Sequence, residues 1–214
     1  MLQRICAVAA MAICSSPNAY AAVVLVSQSR TVSASATLTA PDFAAWNQSV
    51  SRSIIGINPP NGSVGSVTAG QNSSAITPTS MAGQLSVGFG ALRVGNGGPA
   101  ESRYEVVFDV VTDPASMRMS YAATYPGPPT FQRTARIDLT GPVLFSREGV
   151  GTQTSDLLLT PGRYTLVALT STPGATFDGS FGANLTFGLT AIPAPSAGLL
   201  LLLPIAAGRR RRCV

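Results

Sequence analysis

The chain has 214 residues, and its 14 Arg and nine Asp or Glu, with no Lys or His, give a formal net charge of +5. Arg4 and the run Arg209 to Arg212 lie at the two ends, so nine Arg face nine acidic residues in between. The neutral middle excludes a basic nucleic-acid-binding domain, and the lack of His excludes imidazole catalysis and His-ligated metal sites. The length predicts one domain, or at most two small ones.

The first 21 residues have the layout of a secretory signal peptide. One positive charge, Arg4, precedes the apolar run 5–14, and the small residues Ala19 and Ala21 form a cleavage site. We therefore predict that residues 1–21 direct export and that cleavage follows Ala21.

The body, residues 22–191, contains no cysteine, because Cys6, Cys14 and Cys213 all lie in the end segments. It is long enough to bury a core of its own, and it has no disulfide and no thiol nucleophile. We therefore expect packing and backbone hydrogen bonds alone to hold it together.

Apolar residues in the body recur with a period of two, which is typical of half-buried strands. The alternation is clearest over 31–39 and 181–190, and turn signals from Gly and Pro separate the shorter segments. Further predicted strands are 84–93, 102–112, 116–122, 131–140, 143–147, 156–159 and 163–170. The pattern predicts an all-β fold, an antiparallel β-sandwich or jelly roll, flanked by an N-terminal signal helix and a short C-terminal hydrophobic helix.

Two segments of the body depart from this pattern. A helical turn is predicted at 42–48, where Pro41 and Asp42 can start it and Phe43 and Trp46 are three residues apart. A long flexible loop is predicted at 56–83, since nineteen of these 28 residues are Gly, Pro, Ser, Thr or Asn and none is charged. Such a loop would be an exposed spacer or a binding loop.

The segment 159–164 resembles the corner of immunoglobulin-like sandwiches in which a Tyr near the start of a strand hydrogen-bonds back across the turn. The Tyr would be Tyr164. The alternative is a plain turn followed by a strand whose Tyr is simply half-buried.

Acidic residues recur every fourth position in one predicted strand and its continuation, at Glu101, Glu105, Asp109 and Asp113. Residues four apart in a strand lie about 13 Å from each other, too far to ligate one ion, so we expect a solvated face. Calcium held between loops is a separate option, with ligands drawn from Asp113, Asp138, Asp156 or Asp178, which the sequence cannot pair. Since phosphate loops and nucleophile elbows are missing as well, no catalytic, cofactor or metal site is predicted.

Four aromatic residues fall near predicted loops: Trp46, Tyr121, Tyr125 and Phe131. If they were exposed they would provide stacking surfaces for a carbohydrate. In a sandwich, aromatic residues more often belong to the core, which is what we expect here.

The last segment, 192–214, has three parts. The motif Pro193, Ala194 and Pro195 comes first, an apolar stretch over 197–208 follows, and Arg209 to Arg212 come near the end. As a helix the stretch would span about 18 Å, short of the roughly 30 Å hydrocarbon core. The four Arg would remain on the cytoplasmic side and leave the body outside.

This order of parts, on a chain with a signal peptide, resembles the PEP-CTERM sorting signal of Gram-negative bacteria, with Ala194 where the family usually has Glu. The resemblance covers about the last 22 residues. It implies recognition by an exosortase, a membrane-embedded cysteine protease-transpeptidase, and removal of the tail near the motif. Family members are commonly tied to exopolysaccharide or biofilm matrix production.

The sequence thus predicts an exported, non-enzymatic surface or matrix protein with a structural or adhesive role and no cofactor. Its expected partners are the exosortase, exopolysaccharide and, before cleavage, the inner membrane, with the body facing the periplasm. Two alternatives stay open: a carbohydrate-binding or carbohydrate-active extracellular protein, and a periplasmic domain permanently anchored by its tail.

Overall fold

The alternation of apolar and polar side chains directs the body into β-strands. The computed structural model describes residues 23–55, 64–91, 98–111, 113–129, 131–173 and 179–193. The strands in these ranges are β1 Val23–Ser33, β2 Thr37–Thr39, β3 Trp46–Ile55, β4 Val64–Ser73, β5 Ser80–Ala91, β6 Ala100–Val110, β7 Ala115–Thr124, β8 Thr134–Thr140, β9 Phe145–Glu148, β10 Gly151–Leu159, β11 Gly162–Thr172 and β12 Gly179–Ala191. In β6, β7 and β11 nearly every second side chain is buried, as the period of two requires.

The described strands form two antiparallel sheets that pack face to face. Sheet A has the order β2-β1-β6-β11-β8-β9, and sheet B has the order β10-β7-β12-β5-β4-β3. From β5 onward the chain changes sheet between successive strands except from β8 to β9, so most of the neighbouring strands formed by this part of the chain are distant in sequence. The predicted all-β, antiparallel sandwich is confirmed, whereas the predicted flanking helices lie outside the described residues.

The core lies between the two sheets and is rich in aromatic contacts. Tyr104 of sheet A meets Phe187 of sheet B edge to face, with ring centroids 4.8 Å apart. Phe89 and Phe181 stack at 5.0 Å within sheet B. Each such pair adds about 0.5–1.5 kcal/mol beyond the burial of its area, which helps a body without disulfides to fold.

One compact unit spans Ala21–Ile192, and all of the buried apolar residues among the described part of the chain belong to it. This unit therefore has its own core and can fold as a separate domain. The second unit comprises Met1–Tyr20 and Pro193–Val214, of which only Pro193 is described. Among the described residues, none forms a helix with the length and apolar character that crossing a membrane requires.

The single strand predicted over 31–39 is wrong, because this segment is a hairpin. Strand β1 ends at Ser33, the chain bends over 34–36, and β2 returns so that Thr31 pairs with Thr39. The pairing matches odd-numbered residues with odd-numbered ones and even-numbered with even-numbered, so each face of the hairpin holds residues of one parity. A hairpin and a straight strand therefore have the same alternation, and the sequence pattern does not distinguish them.

The helical turn predicted at 42–48 is also wrong. The Asp42 carboxylate accepts a hydrogen bond from the Ala44 N–H at 2.9 Å, which makes a local turn, and β3 begins at Trp46. Asp and Asn side chains favour such turns over helix continuation.

The long flexible loop predicted over 56–83 is wrong for most of its length. Residues 64–73 form β4, residues from Ser80 onward belong to β5, and the two strands pair with each other from Ser66 to Ser73. The segment is polar because its outward side chains are small and polar, while Val67 and Ala69 are buried in the core. Residues 56–63 lie outside the described residues.

Candidate functional site

Most residues of the predicted processing signals lie outside the described part of the chain. These are Ala19, Ala21, Ala194, Pro195, Arg209, Arg210, Arg211 and Arg212. Pro193, the first residue of the sorting motif, is exposed and follows β12 closely. Just before it, the Ile192 N–H donates to the Ser116 carbonyl at 2.8 Å.

The acidic residues of β6 lie on the outer face of sheet A, as predicted. Glu105 pairs with Arg103 at 2.6 Å, and Asp109 receives two hydrogen bonds from the Arg163 guanidinium at 2.8 and 2.9 Å. The hydrogen bonds from Arg163 lower the pKa of Asp109 below its usual value. Glu105 and Asp109 therefore form surface ion pairs with Arg side chains.

Two of the aspartates considered for calcium also bind Arg. Asp138 pairs with Arg136 at 2.6 Å, and Asp156 pairs with Arg118 at 2.7 Å. The hydrogen bonds from Arg118 lower the pKa of Asp156. Within the described ranges no three His, Cys, Asp or Glu residues come together in a group that could hold a metal ion, and Asp178 lies outside them.

The four aromatic residues considered for sugar stacking belong to the core or its margin. Trp46 and Tyr121 are buried, with 9% and 2% of their surface exposed, and burial raises the pKa of Tyr121 to about 12. Phe131 stacks on Phe181 at 4.6 Å, and the ring of Tyr125 lies under the Arg133 guanidinium at 5.0 Å. The expectation that these residues pack in the core is confirmed for Trp46 and Tyr121.

The tyrosine corner suggested by the segment 159–164 is present. Tyr164 is fully buried near the start of β11, and its hydroxyl donates to the Thr160 carbonyl at 2.9 Å. The ring stacks on Phe108 with centroids 5.5 Å apart. The hydrogen bond across the turn fixes the entry of β11 into the middle of sheet A.

A buried arginine joins the two sheets, and sequence reasoning missed it. Arg30 of β1 is fully buried, its Nη1 donates to the Ser73 hydroxyl of β4 at 3.0 Å, and its other nitrogens donate to Gln28 and to the Asp42 carbonyl. Burial lowers the pKa of Arg30. The alternation along β1 does indicate that Arg30 points into the core, because Arg30 lies two residues from the buried Val32 and so on the same face of the strand.

Buried polar groups continue next to Arg30. Tyr104 lies opposite Arg30 in the β1–β6 pairing, and burial raises the pKa of its phenol. Its hydroxyl, the Ser102 and Thr170 hydroxyls and the Gln71 amide have no hydrogen-bond partner among the described residues. This cluster is closed off in the core, so it is a structural feature rather than a surface for ligands.

The outer face of sheet B is built from uncharged polar residues. We call the outward side chains of β3, β4, β5 and β12 the amide face. One row across the four strands, in register, is Asn47, Asn72, Gln84 and Thr186. The next row is Ser49, Gly70, Ser86 and Asn184. Together they line a shallow groove of about 400 Å³.

Glycines give the amide face its depth. A Cβ on Gly70 would lie 3.1 Å from the Ser86 hydroxyl, and one on Gly88 would lie 3.0 Å from the Thr68 hydroxyl. With hydrogen at these positions the backbone forms the floor, Gly70 in the first groove and Gly88 in a second groove of about 350 Å³ that Ser180 also lines.

The two outer faces of the sandwich differ in charge. The outer face of sheet A holds ion pairs such as Arg163 with Asp109, whereas the described outward side chains of the amide face include no ionisable group. The nearest ion pair on the same sheet, Arg118 with Asp156, lies beyond β12 on β7 and β10. The amide face can therefore donate and accept hydrogen bonds but cannot perform acid–base chemistry.

The amides on this face are available for a ligand. Within the described part of the chain, the side chains of Asn47, Asn72, Gln84 and Asn184 make no hydrogen bond, and all four are exposed. No pattern in the sequence marks this set, because its members come from four strands that only the fold brings together.

A comparison of the chain with protein-family models and with curated proteins finds no match.

Proposed function

We propose that this chain is an exported, non-enzymatic β-sandwich that an exosortase sorts to the cell surface or the exopolysaccharide matrix, where it has a structural or adhesive role. The observation that carries the proposal is the pairing of a signal-peptide layout over 1–21 with the three-part tail over 192–214. In this scheme residues 1–21 contain the signal helix, and a short hydrophobic helix in the tail holds the protein in the inner membrane until cleavage.

The position of the motif relative to the body supports the proposal. Strand β12 ends at Ala191, the last backbone hydrogen bond described is made by Ile192, and Pro193 is exposed. A protease that acts at the motif would therefore cut beyond the end of β12 without disturbing a strand of the domain. The four Arg beyond the apolar stretch would keep the tail end on the cytoplasmic side.

The body has properties that suit a matrix protein. Its core is complete without a disulfide, Glu105 and Asp109 on sheet A are held in ion pairs, and the amide face of sheet B is exposed and uncharged. Such a domain stays folded in an oxidising or a reducing medium, and it offers a wide surface for hydrogen bonding.

Intact mass spectrometry of the protein from its native host tests the proposal. The expected mature chain begins at Ala22 and ends near Pro193 to Pro195. Deleting the exosortase gene, or replacing Arg209 to Arg212 with Ser, should leave the tail uncleaved.

The matched control is Arg118→Ser, which removes the same kind of charge from an exposed ion pair of the body and should be processed normally. A mature chain that still ends in Cys213 and Val214 in the wild-type host would overturn the proposal. That result would favour a domain permanently anchored in the periplasm.

A second candidate function, carbohydrate binding, is favoured by the exposed, uncharged amides of the amide face. It is compatible with sorting to the surface, and it identifies what the body would adhere to.

A further inference from the structure

We infer that the amide face binds a neutral polysaccharide chain. The inference deepens the proposed function, since it names the ligand class behind an adhesive role. It can also be tested without the sorting step, because the body Ala21–Ile192 is a compact unit with its own core.

The spacing of the polar groups suits an extended polymer laid across the strands. Adjacent strands lie about 4.8 Å apart, so the row Asn47, Asn72, Gln84 and Thr186 presents a polar group at regular steps over about 14 Å. The second row, which includes Ser86 and Asn184, runs beside it. A chain of several sugar rings would meet an amide or a hydroxyl at each strand.

The chemistry of these groups complements sugar hydroxyls. Each carboxamide has two donor hydrogens and an acceptor oxygen, and each sugar hydroxyl both donates and accepts. Since Asn72, Gln84 and Asn184 have no side-chain hydrogen bond within the described residues, no internal bond is lost when they bind. Only water has to be displaced, and the ligand can replace its hydrogen bonds.

The charge distribution selects a neutral ligand over a charged one. An anionic polymer requires Arg or Lys at the surface that it contacts, and the described outward side chains of β3, β4, β5 and β12 include neither. The ion pairs of sheet A, such as Arg163 with Asp109, lie on the opposite side of the sandwich. Uronic-acid polymers and nucleic acids would therefore find no counter-charge here.

The face is an open groove rather than an enclosed pocket, and this shape suits a chain of sugar rings. The groove of about 400 Å³ is open, and a second groove of about 350 Å³ lies further along the same strands, beyond Ser86. Gly70 lines the first groove and Gly88 the second, at positions where a side chain would otherwise fill the floor. An open groove admits a polymer at any point along its length, which a closed pocket does not.

Affinity electrophoresis of the body Ala21–Ile192 tests the inference. The gels contain dextran, galactomannan or hydroxyethylcellulose as neutral polymers and alginate as a charged one. We expect retardation by at least one neutral polymer, none by alginate, and the same retardation at about 50 and about 500 mM NaCl because no charge is involved.

Variants on the amide face sharpen the test. The double variant Gln84→Ala with Asn184→Ala should bind about tenfold more weakly, which corresponds to the loss of one or two hydrogen bonds. Ser86→Arg, which places a long charged side chain within the second row, should abolish retardation. The controls are Gln153→Ala, which removes an exposed amide of β10, and Thr140→Arg on the outer face of sheet A.

The inference would be overturned if no neutral polymer retarded the body, or if salt removed the retardation. It would also be overturned if the variants of the amide face bound like the wild type, with urea unfolding used to check that they are folded. Concentration-dependent dimerisation that Ser86→Arg abolishes, without glycan binding, would assign the face to a second copy instead. If the body binds no neutral polymer but the tail is trimmed as expected, the sorting proposal stands and this inference fails. If the body binds a neutral polymer but the tail is not trimmed, this inference stands and the sorting proposal fails.

Discussion

Two buried tyrosines of sheet A provide a sharp test of how polar groups stabilise this core. Tyr164 and Tyr104 are both fully buried, but only Tyr164 has a partner, the Thr160 carbonyl at 2.9 Å. The Tyr104 hydroxyl has none among the described residues. Changing each to Phe removes one oxygen from a similar environment, so the pair isolates the hydrogen bond.

We expect Tyr164→Phe to lower the free energy of unfolding by about 1–2 kcal/mol, since the Thr160 carbonyl loses its donor. For a body of this size that corresponds to a fall in the melting temperature of about 3–6 °C. Tyr104→Phe should be neutral or stabilising by up to about 1 kcal/mol, because it removes a buried hydroxyl with no partner.

Urea unfolding followed by fluorescence measures both changes, because the chain has one Trp and Trp46 is buried in the folded body. The slope of the free energy with urea should be the same in all three proteins, which confirms that only stability has changed. The reasoning would be refuted by a Tyr164→Phe variant within about 0.3 kcal/mol of the wild type, or by a Tyr104→Phe variant that loses as much as Tyr164→Phe.

Three further predictions follow from particular contacts. Arg30→Ala should lower the free energy of unfolding by about 3 kcal/mol in the same urea assay, because it opens a cavity between the sheets and leaves three acceptors without their donor. A loss under about 1 kcal/mol would contradict the role given to this side chain. Gly182→Ala should cost about 1–3 kcal/mol by calorimetry, because its Cβ would lie 2.5 Å from the Val87 carbonyl oxygen, and an unchanged melting temperature would argue against that close approach. The pKa of Asp109 lies below its ordinary 3.8 because of the Arg163 hydrogen bonds, so its stabilisation is present above about pH 4 and is lost as the pH falls through the folded pKa. The difference in melting temperature between the wild type and Asp109→Asn should therefore be present at about pH 6 and close at about pH 2, whereas a constant difference would contradict the assignment.

The strands with strong alternation were predictable because burial of one face leaves a direct mark on the sequence. The predicted segments 163–170 and 181–190 fall inside β11 and β12. Tyr164 was also predictable as a corner residue, since the turn 160–162 and the following strand are adjacent in the chain. In these cases the interactions that shape the element are local.

The segments that were mispredicted depend on contacts with distant residues. Strand β4 reads as a loop because Gly, Ser, Thr and Asn occupy its outward positions, and its pairing with β3 and β5 supplies the hydrogen bonds that order it. The hairpin of β1 and β2 has the same parity as a straight strand, so only the return of the chain onto β1 distinguishes them. The start of β3 was mispredicted because Asp42 gives a local helix-start signal, whereas the pairing of β3 with β4 is what places Trp46 in a strand.

The all-β class of the body and its predicted export can be read from the sequence, because strand periodicity, the absence of cysteine from 22–191 and the composition of the two ends are properties of consecutive residues. The tertiary structure alone decided that Arg30 joins the sheets and that Asn47, Asn72, Gln84 and Asn184 share one uncharged face. The four amides lie up to 137 positions apart in the chain. Strand register brings them together, and the register is set by which face of each strand is buried against the core. A short window of sequence does not contain the partner strands, so it does not specify the register.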